Sequence, residues 1–437
     1  MLFGQKYALE RHKSRCPSFL HHEIGPMSGL QFFSRVSGYS FGTPCPKSNN
    51  MYGTQCIMPI RYMVPARASS FPSTFNHHIM SSSQPRRFRA EHLGSLIRPD
   101  ALLQLRAGIM TGATNREELA KAEKDAIRDI VQMQKDVGLK VVSDGEFTRF
   151  IFYDGVFNKL EGMQFAKVPL DQFMEYLGSV KAMHDFSQDG TFPSYICTGK
   201  LKRIQPFYVP EFEYLKTIVP PEEHANIKMT VCSPEWFHIR HGPHTYSKDA
   251  YSTDEEYFAD LVTAYKAELQ DLYAAGCRNI QFDDPQLIEF CSEESLEGMR
   301  NHGMDPDTLL QLYIDTYNRI LEGRPRDMRV GVHICRGNFS ENQYTTKHKD
   351  IVLGLVSTKT AELEDAEELK NRVRIAAELI SQGVERRSKE EALKQICISP
   401  QCGFASKDDS HKFTHEDMVK KLRLVVQTAK AIWPDEA

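Results

Sequence analysis

From Arg86 to its end the chain alternates short apolar runs with long amphipathic ones, and that rhythm restricts the fold more than any other feature. "RAEHLGSL", "LKVVSDGEF", "IKMTVCSP", "RNIQFDDP", "VGVHIC", "DIVLGLVST" and "QICISPQCG" read as strands. The stretches beginning at Thr114, Ser252, Asp305, Glu364 and Thr414 have helical spacing. Their starts predict caps: Thr114 or Asn115 on the first, closed by Gly138; a Thr253–Glu256 capping box on the second; Pro306 in the first turn of the third. Strands alternating with helices, most strands largely apolar, imply a parallel sheet covered by helices. Residues 150–226 break the rhythm with aromatics, prolines and no clear helix, and "YICTGKLKRI" reads as part of a hairpin.

No glycine-rich phosphate loop opens a helix, which disfavours an open nucleotide-binding sheet. Polar residues instead gather at the carboxyl ends of the strands: Ser95, Asp144, Glu146, Ser233, Asp283, Asp284, His333, Cys335 and Cys402. A closed TIM-type (β/α)8 barrel keeps its chemistry there. The strands number seven, near residues 90, 140, 228, 279, 330, 351 and 396, where such a barrel needs eight. Between Cys335 and Asp350 lies only "RGNFSENQYTTKHK", too short for helix, strand and helix. One strand-helix unit is therefore expected to be missing between residues 338 and 350.

The first 79 residues carry Lys6, Arg11, Lys13, Arg15, Arg35, Lys47, Arg61 and Arg67 against only Glu10 and Glu23, with no periodicity. They fit an organelle transit segment or an extension without a fold; the second is adopted for residues 1–85, leaving residues 86–437 as the barrel domain. The expected compartment is cytoplasmic, or mitochondrial if residues 1–79 act as a transit segment. The net charge of −4 argues against a nucleic-acid partner, and no apolar run approaches the roughly 20 residues that span a membrane. Ten cysteines in 437 residues lack the density of a disulfide-stapled domain and read mainly as reduced thiols. Cys232, Cys277, Cys291 and Cys397 read as buried small hydrophobes, and the histidines of "WFHIRHGPH" as a solvated or substrate-facing loop.

His333 and Cys335 stand two apart on a strand and so point to one side. Imidazole and thiolate are zinc's preferred ligands, and Cys402 in "SPQCGF" adds a third donor at another strand end. Such a pair alone is more often packing; the third donor is what favours metal. Three protein ligands leave a position for a substrate thiol, held as the thiolate, so the implied chemistry is transfer of a carbon group to sulfur. Glu146 and Asp283 together suit the ammonium of an amino-acid substrate, with Ser95 and nearby backbone taking its carboxylate. Asp284, followed by Pro285, reads as a loop-shaping residue.

At "HLGS", "SDGEF", "IQFDDP", "HICRGNF" and "SPQCGF" the chain resembles the C-terminal barrel of cobalamin-independent methionine synthase, nearest its short single-barrel members. The resemblance covers about residues 86–437. It implies a TIM-type barrel and methyl transfer from 5-methyltetrahydrofolate, as its polyglutamate, to a homocysteine-like thiol. It further implies zinc on His333, Cys335 and Cys402, with Ser95, Glu146 and Asp283 on the amino-acid group.

Two departures accompany it. The family's fourth zinc ligand is a glutamate in a segment of the type "FLEYD", absent here; Glu341 in the shortened loop is not promoted in its place. The full-length enzyme has a catalytic histidine at the end of the strand matching "VLGLVST", where this chain holds Val356, Ser357 and Thr358. The alternatives are a catalytically impaired barrel relic or binding protein, and a barrel enzyme of the uroporphyrinogen decarboxylase type, whose chemistry needs no metal. A lost strand would strand the ladder groups of two neighbours, at about 1–3 kcal/mol for each buried group left unpaired.

Overall fold

A computed structural model describes residues 88–187, 189–334, 350–383, 386–408 and 414–436. Residues 1–85, Cys335 and nearly all of the 338–350 junction lie outside these.

The described strands are β1 (Leu160–Pro169), β2 (Thr191–Arg203), β3 (Met229–Cys232), β4 (Asn279–Asp283), β5 (Arg329–His333), β6 (Ile351–Val356) and β7 (Ile396–Pro400). β3, β4 and β5 form one parallel ladder, in register from Met229 beside Ile280 to Asp283 beside His333. β6 and β7 form a second. The predicted strands near 90 and 140 are reduced to single parallel bridges, Ala90 to Ile398 on β7 and Val142 to Ile227 just before β3. Both runs turn early because glycines follow: Gly94 and Gly145 adopt positive φ and direct the backbone into the loops that carry Ser95 and Glu146. Those loops are tied together, Ser143 Oγ donating to the Gly94 carbonyl and the Leu96 amide to that of Gly145. The spatial order is thus β6, β7, the 88–96 segment, the 141–146 segment, β3, β4, β5, which is chain order with the cut moved. The order matches the predicted alternation, and among the described residues no closed sheet forms.

Burial along this order is uneven. Every residue of β3, β4 and β7 is buried. On β5 none is fully buried, and Val332 is 41% exposed; on β6, Val352 is 39% exposed. Among the described residues β5 has ladder pairing only with β4, and β6 only with β7. The apolar core divides in the same way. One cluster packs β3 and β4 with the helices Arg116–Asp136, Asp254–Ala275 and Pro306–Leu321. A smaller one packs β6 and β7 with the helices Ala366–Ser381 and His415–Ile432, and Ala90 touches both. At the amino ends of the strands Glu91 accepts from Lys228 at 3.1 Å and Arg329 at 2.5 Å, which fixes this face with charge instead of apolar contact.

Most predicted caps form. Asn115 accepts from the Glu118 amide at 2.8 Å, and Pro306 takes the first turn of the third helix as read, behind Asp305 as its cap. Thr253 accepts from the Glu256 amide, but the Glu256 carboxylate reaches the Ser252 amide in place of completing the box. Residues 150–226 differ from expectation. They hold the antiparallel β1–β2 hairpin, as read, but also the helices Gly178–Phe186 and Val209–Ile218. Neither helix start has a side-chain cap, which removes the usual local signal. No described helix is long and apolar enough to cross a membrane.

Candidate active site

Five of the six residues singled out by sequence lie within the described residues, and they collect at the carboxyl ends of the strands. Ser95 and Cys402 come from loops that touch: the Phe404 amide donates to the Ser95 carbonyl at 2.9 Å. A Cβ on Gly403 would overlap the Ser95 hydroxyl, so glycine is needed for this approach.

Glu146 is the one described non-glycine residue with positive φ, at 63°. Asp144 Oδ1 accepts from its amide at 2.9 Å, and Arg98 donates to its carbonyl at 3.1 Å. Glu146 is buried; its Oε1 accepts from Thr230 Oγ1 at 2.8 Å and lies 3.7 Å from Arg149, while Oε2 has no hydrogen bond among the described residues. Burial raises its pKa to about 7, against the pull of Arg149 and with help from the Asp283 carboxylate. A buried carboxylate with one unused oxygen and a strained backbone is the pattern of a group kept for a ligand.

Asp283 and His333 face each other across β4 and β5, with Asp283 Oδ1 3.0 Å from His333 Nδ1. Gln281 Nε2 donates to the same oxygen at 2.7 Å. His333 Nε2 is buried and has no hydrogen bond among the described residues, yet the Cys402 sulfur is near enough to stabilise the ring's charge. Burial works against protonation, but the hydrogen bond to Asp283, its charge and the nearby Cys402 sulfur outweigh it and lift the imidazole to about 9. His333 and Cys402 are thus brought together, and both are partly open to solvent where Glu146 is sealed. Among the described residues no group of three potential ligands could hold a metal; Cys335 falls outside them. Asp283 holds the imidazole through Nδ1 and leaves Nε2 without a hydrogen bond among the described residues, the arrangement by which a carboxylate supports a ligand-binding histidine.

Other sequence readings resolve differently. His238 and His241 are buried instead of solvated: His238 bonds Tyr313 at 2.8 Å, and His241 bonds Ser194 at 2.8 Å and the Gln172 carbonyl. The flanking aromatics Trp236 and Phe237 signalled that packing. Asp284 shapes its loop, accepting from the amides of Gln286 and Leu287 and from Tyr317 at 2.8 Å. Beside it, Glu235 is wholly buried, and burial with the Asp284 charge pushes its carboxyl well above the usual carboxylate range. Cys232, Cys277 and Cys397 are buried as read, and Cys291 is half-buried. Thr230, Gln281 and Arg98 were missed. Thr230 and Gln281 lie mid-strand in apolar surroundings, and that buried polarity was their only signal. Arg98 carried none.

No protein-family model matches the chain. The uncharacterized protein YxjH of Bacillus subtilis is 31% identical, over 79% of this chain and 95% of its own length. A methionine synthase of Sulfolobus acidocaldarius is 25% identical, over 59% of this chain and 63% of that protein. Among solved structures, a putative vitamin-B12-independent methionine synthase from Listeria monocytogenes is 29% identical, with a TM-score of 0.60 over 80% of this chain and 99% of that one.

Proposed function

Since the chain belongs to the cobalamin-independent methionine synthase family, we propose that it transfers a methyl group to the sulfur of a homocysteine-like thiol at the mouth built by Ser95, Glu146, Asp283, His333 and Cys402. The architecture behind this reading is a (β/α)8 barrel lacking one strand-helix unit between β5 and β6. The observation that carries it is the Asp283–His333 pair at 3.0 Å with the Cys402 sulfur against the same ring. His333, Cys402 and, by sequence, Cys335 are the residues that would hold zinc. Bound zinc supplies a Lewis acid that keeps the substrate sulfur as thiolate at neutral pH.

The chain's own residues do the rest. Asp283 orients the imidazole and keeps its proton on Nδ1, so a metal at Nε2 would have to displace only the second proton that the charged ring carries there. Glu146 Oε2 and the Asp283 oxygen not bonded to His333 suit the substrate ammonium. Ser95, pressed against Gly403, sets the position of its carboxylate. Sealing Glu146 from water strengthens its hold on a cation. The methyl donor follows by resemblance as 5-methyltetrahydrofolate or its polyglutamate. At the end of β6, Val356 is buried and the Ser357 amide donates to Glu364 at 2.6 Å, so that strand end offers no imidazole to protonate a leaving group.

The exposed Val332 and Val352 favour a second reading, a barrel relic with impaired catalysis. Methionine formation by purified, zinc-supplied protein from homocysteine and methyltetrahydrofolate separates the two. The proposal expects turnover that Cys402→Ala abolishes. Full folding and zinc uptake without turnover would establish the relic.

A further inference from the structure

Arg98 is wholly buried, yet it serves neither the sheet nor an apolar core. Its guanidinium donates to the carbonyls of Glu146 at 3.1 Å, Arg149 at 2.9 Å and Ala405 at 2.9 Å. Its Nε lies 2.9 Å from Asp408. The first two carbonyls belong to the loop that carries Glu146. Ala405 and Asp408 belong to the loop that carries Cys402 and Gly403. Arg106 reinforces the same joint from outside, donating to the Arg149 carbonyl at 2.9 Å, to Asp408 at 2.6 Å and to the Phe147 carbonyl.

The φ of 63° at Glu146 needs such a clamp. A non-glycine residue in the left-handed region is strained and persists only where its surroundings over-determine it. The Asp144 carboxylate caps the amide of Glu146 and Arg98 takes its carbonyl, so both ends of the strained residue are held. Released, the backbone would relax and the Glu146 carboxylate would leave its place beside Thr230.

We propose that Arg98 is a positioning residue that sets specificity for the α-amino group of the acceptor thiol, by locking the Glu146 turn to the Cys402–Ala405 loop. This rests on the function proposed above. Arginine is required because one planar fork spans three carbonyls and a carboxylate; a lysine ammonium reaches one or two from a single point. Glu146 meets the ammonium, and Arg98 acts only through it.

The test compares binding of homocysteine with that of 4-mercaptobutyrate, which lacks the amino group, by calorimetry on the zinc-supplied full chain. Wild-type protein binds homocysteine the more tightly. Arg98→Lys closes that gap at least tenfold through weaker homocysteine binding, while 4-mercaptobutyrate binds as before; Glu146→Gln does the same. A purely structural role for Arg98 would weaken both thiols alike, or neither, and a folded Arg98→Lys with the wild-type ratio overturns the proposal. Should Arg98→Lys not fold, Asp408→Ala, at a partly exposed site, frees the Nε end and must narrow the ratio in the same direction; an unchanged ratio there also overturns it. Wild-type protein that binds both thiols equally would sink the ammonium role of Glu146, and Arg98's with it. Wild-type protein that binds neither would instead sink the proposed function itself.

Discussion

β4 and β5 are neighbours in one ladder, equal in length and in register, yet every residue of β4 is buried and none of β5 is fully so. A weaker form of the contrast separates β7, buried throughout, from β6, where only Leu353, Leu355 and Val356 are buried. Burial therefore follows a strand's position in the barrel order more than its composition: β5, "RVGVH", and β6, "IVLGLV", are as apolar as their partners. Strands flanked on both sides pack a core, and the two that border the 338–350 junction present valine to solvent. Exposed apolar edges of this kind invite pairing with other chains. The candidate site straddles the contrast. Ser95, Glu146 and Asp283 stand on the closed side, and His333 ends the exposed β5.

Core truncation should test the contrast with the largest effect. Ile280→Ala on β4 removes a fully packed side chain and is expected to cost about 2–5 kcal/mol in urea unfolding, whereas Val332→Ala on β5 costs under about 1 kcal/mol. Equal losses would mean that β5 is covered in solution. Glycine replacement gives a smaller, sharper version. A Cβ at Gly403 overlaps Ser95, whereas one at Gly331 on β5 meets nothing within 4 Å. Gly403→Ala should cost about 1–3 kcal/mol by overpacking and weaken thiol binding, while Gly331→Ala stays within about 0.5 kcal/mol of wild type.

The alternation, five of the seven strand positions, most helix caps and the placement of the candidate residues at the carboxyl ends were legible in the sequence, because each depends on local periodicity or a local hydrogen bond. The helices at Gly178 and Val209 were not, since their starts lack side-chain caps and tertiary packing alone stabilises them. The same divide holds within the site. His333 and Cys402 announced themselves by residue type at strand ends. Arg98 and Thr230 act through carbonyls and a carboxylate about 50 to 300 residues distant, a relation that no window of sequence contains.

A subtler effect lies in pH. Glu146 has its pKa raised by burial to about 7 from 4.5, so its contribution to stability is complete below about 4.5 and lost as pH climbs through 7. In zinc-stripped protein the urea midpoint should fall between pH 5 and pH 8. Glu146→Gln, which cannot ionise, should flatten that fall and exceed wild type at pH 8. His333 has the same sign in a higher window, from 6.5 to about 9, and that part should survive in Glu146→Gln. A midpoint that rises with pH would contradict both assignments.

The account stands on one imidazole at the end of β5 and one sulfur in the loop after β7, which it proposes to share a metal ion. Zinc content of the purified full chain, measured by elemental analysis beside His333→Ala and Cys402→Ala variants, examines this most directly. The expected result is one zinc per chain in wild type and loss of most of it in each variant, with folding retained. A folded wild-type protein that takes up no zinc, or variants that keep it undiminished, would contradict the account.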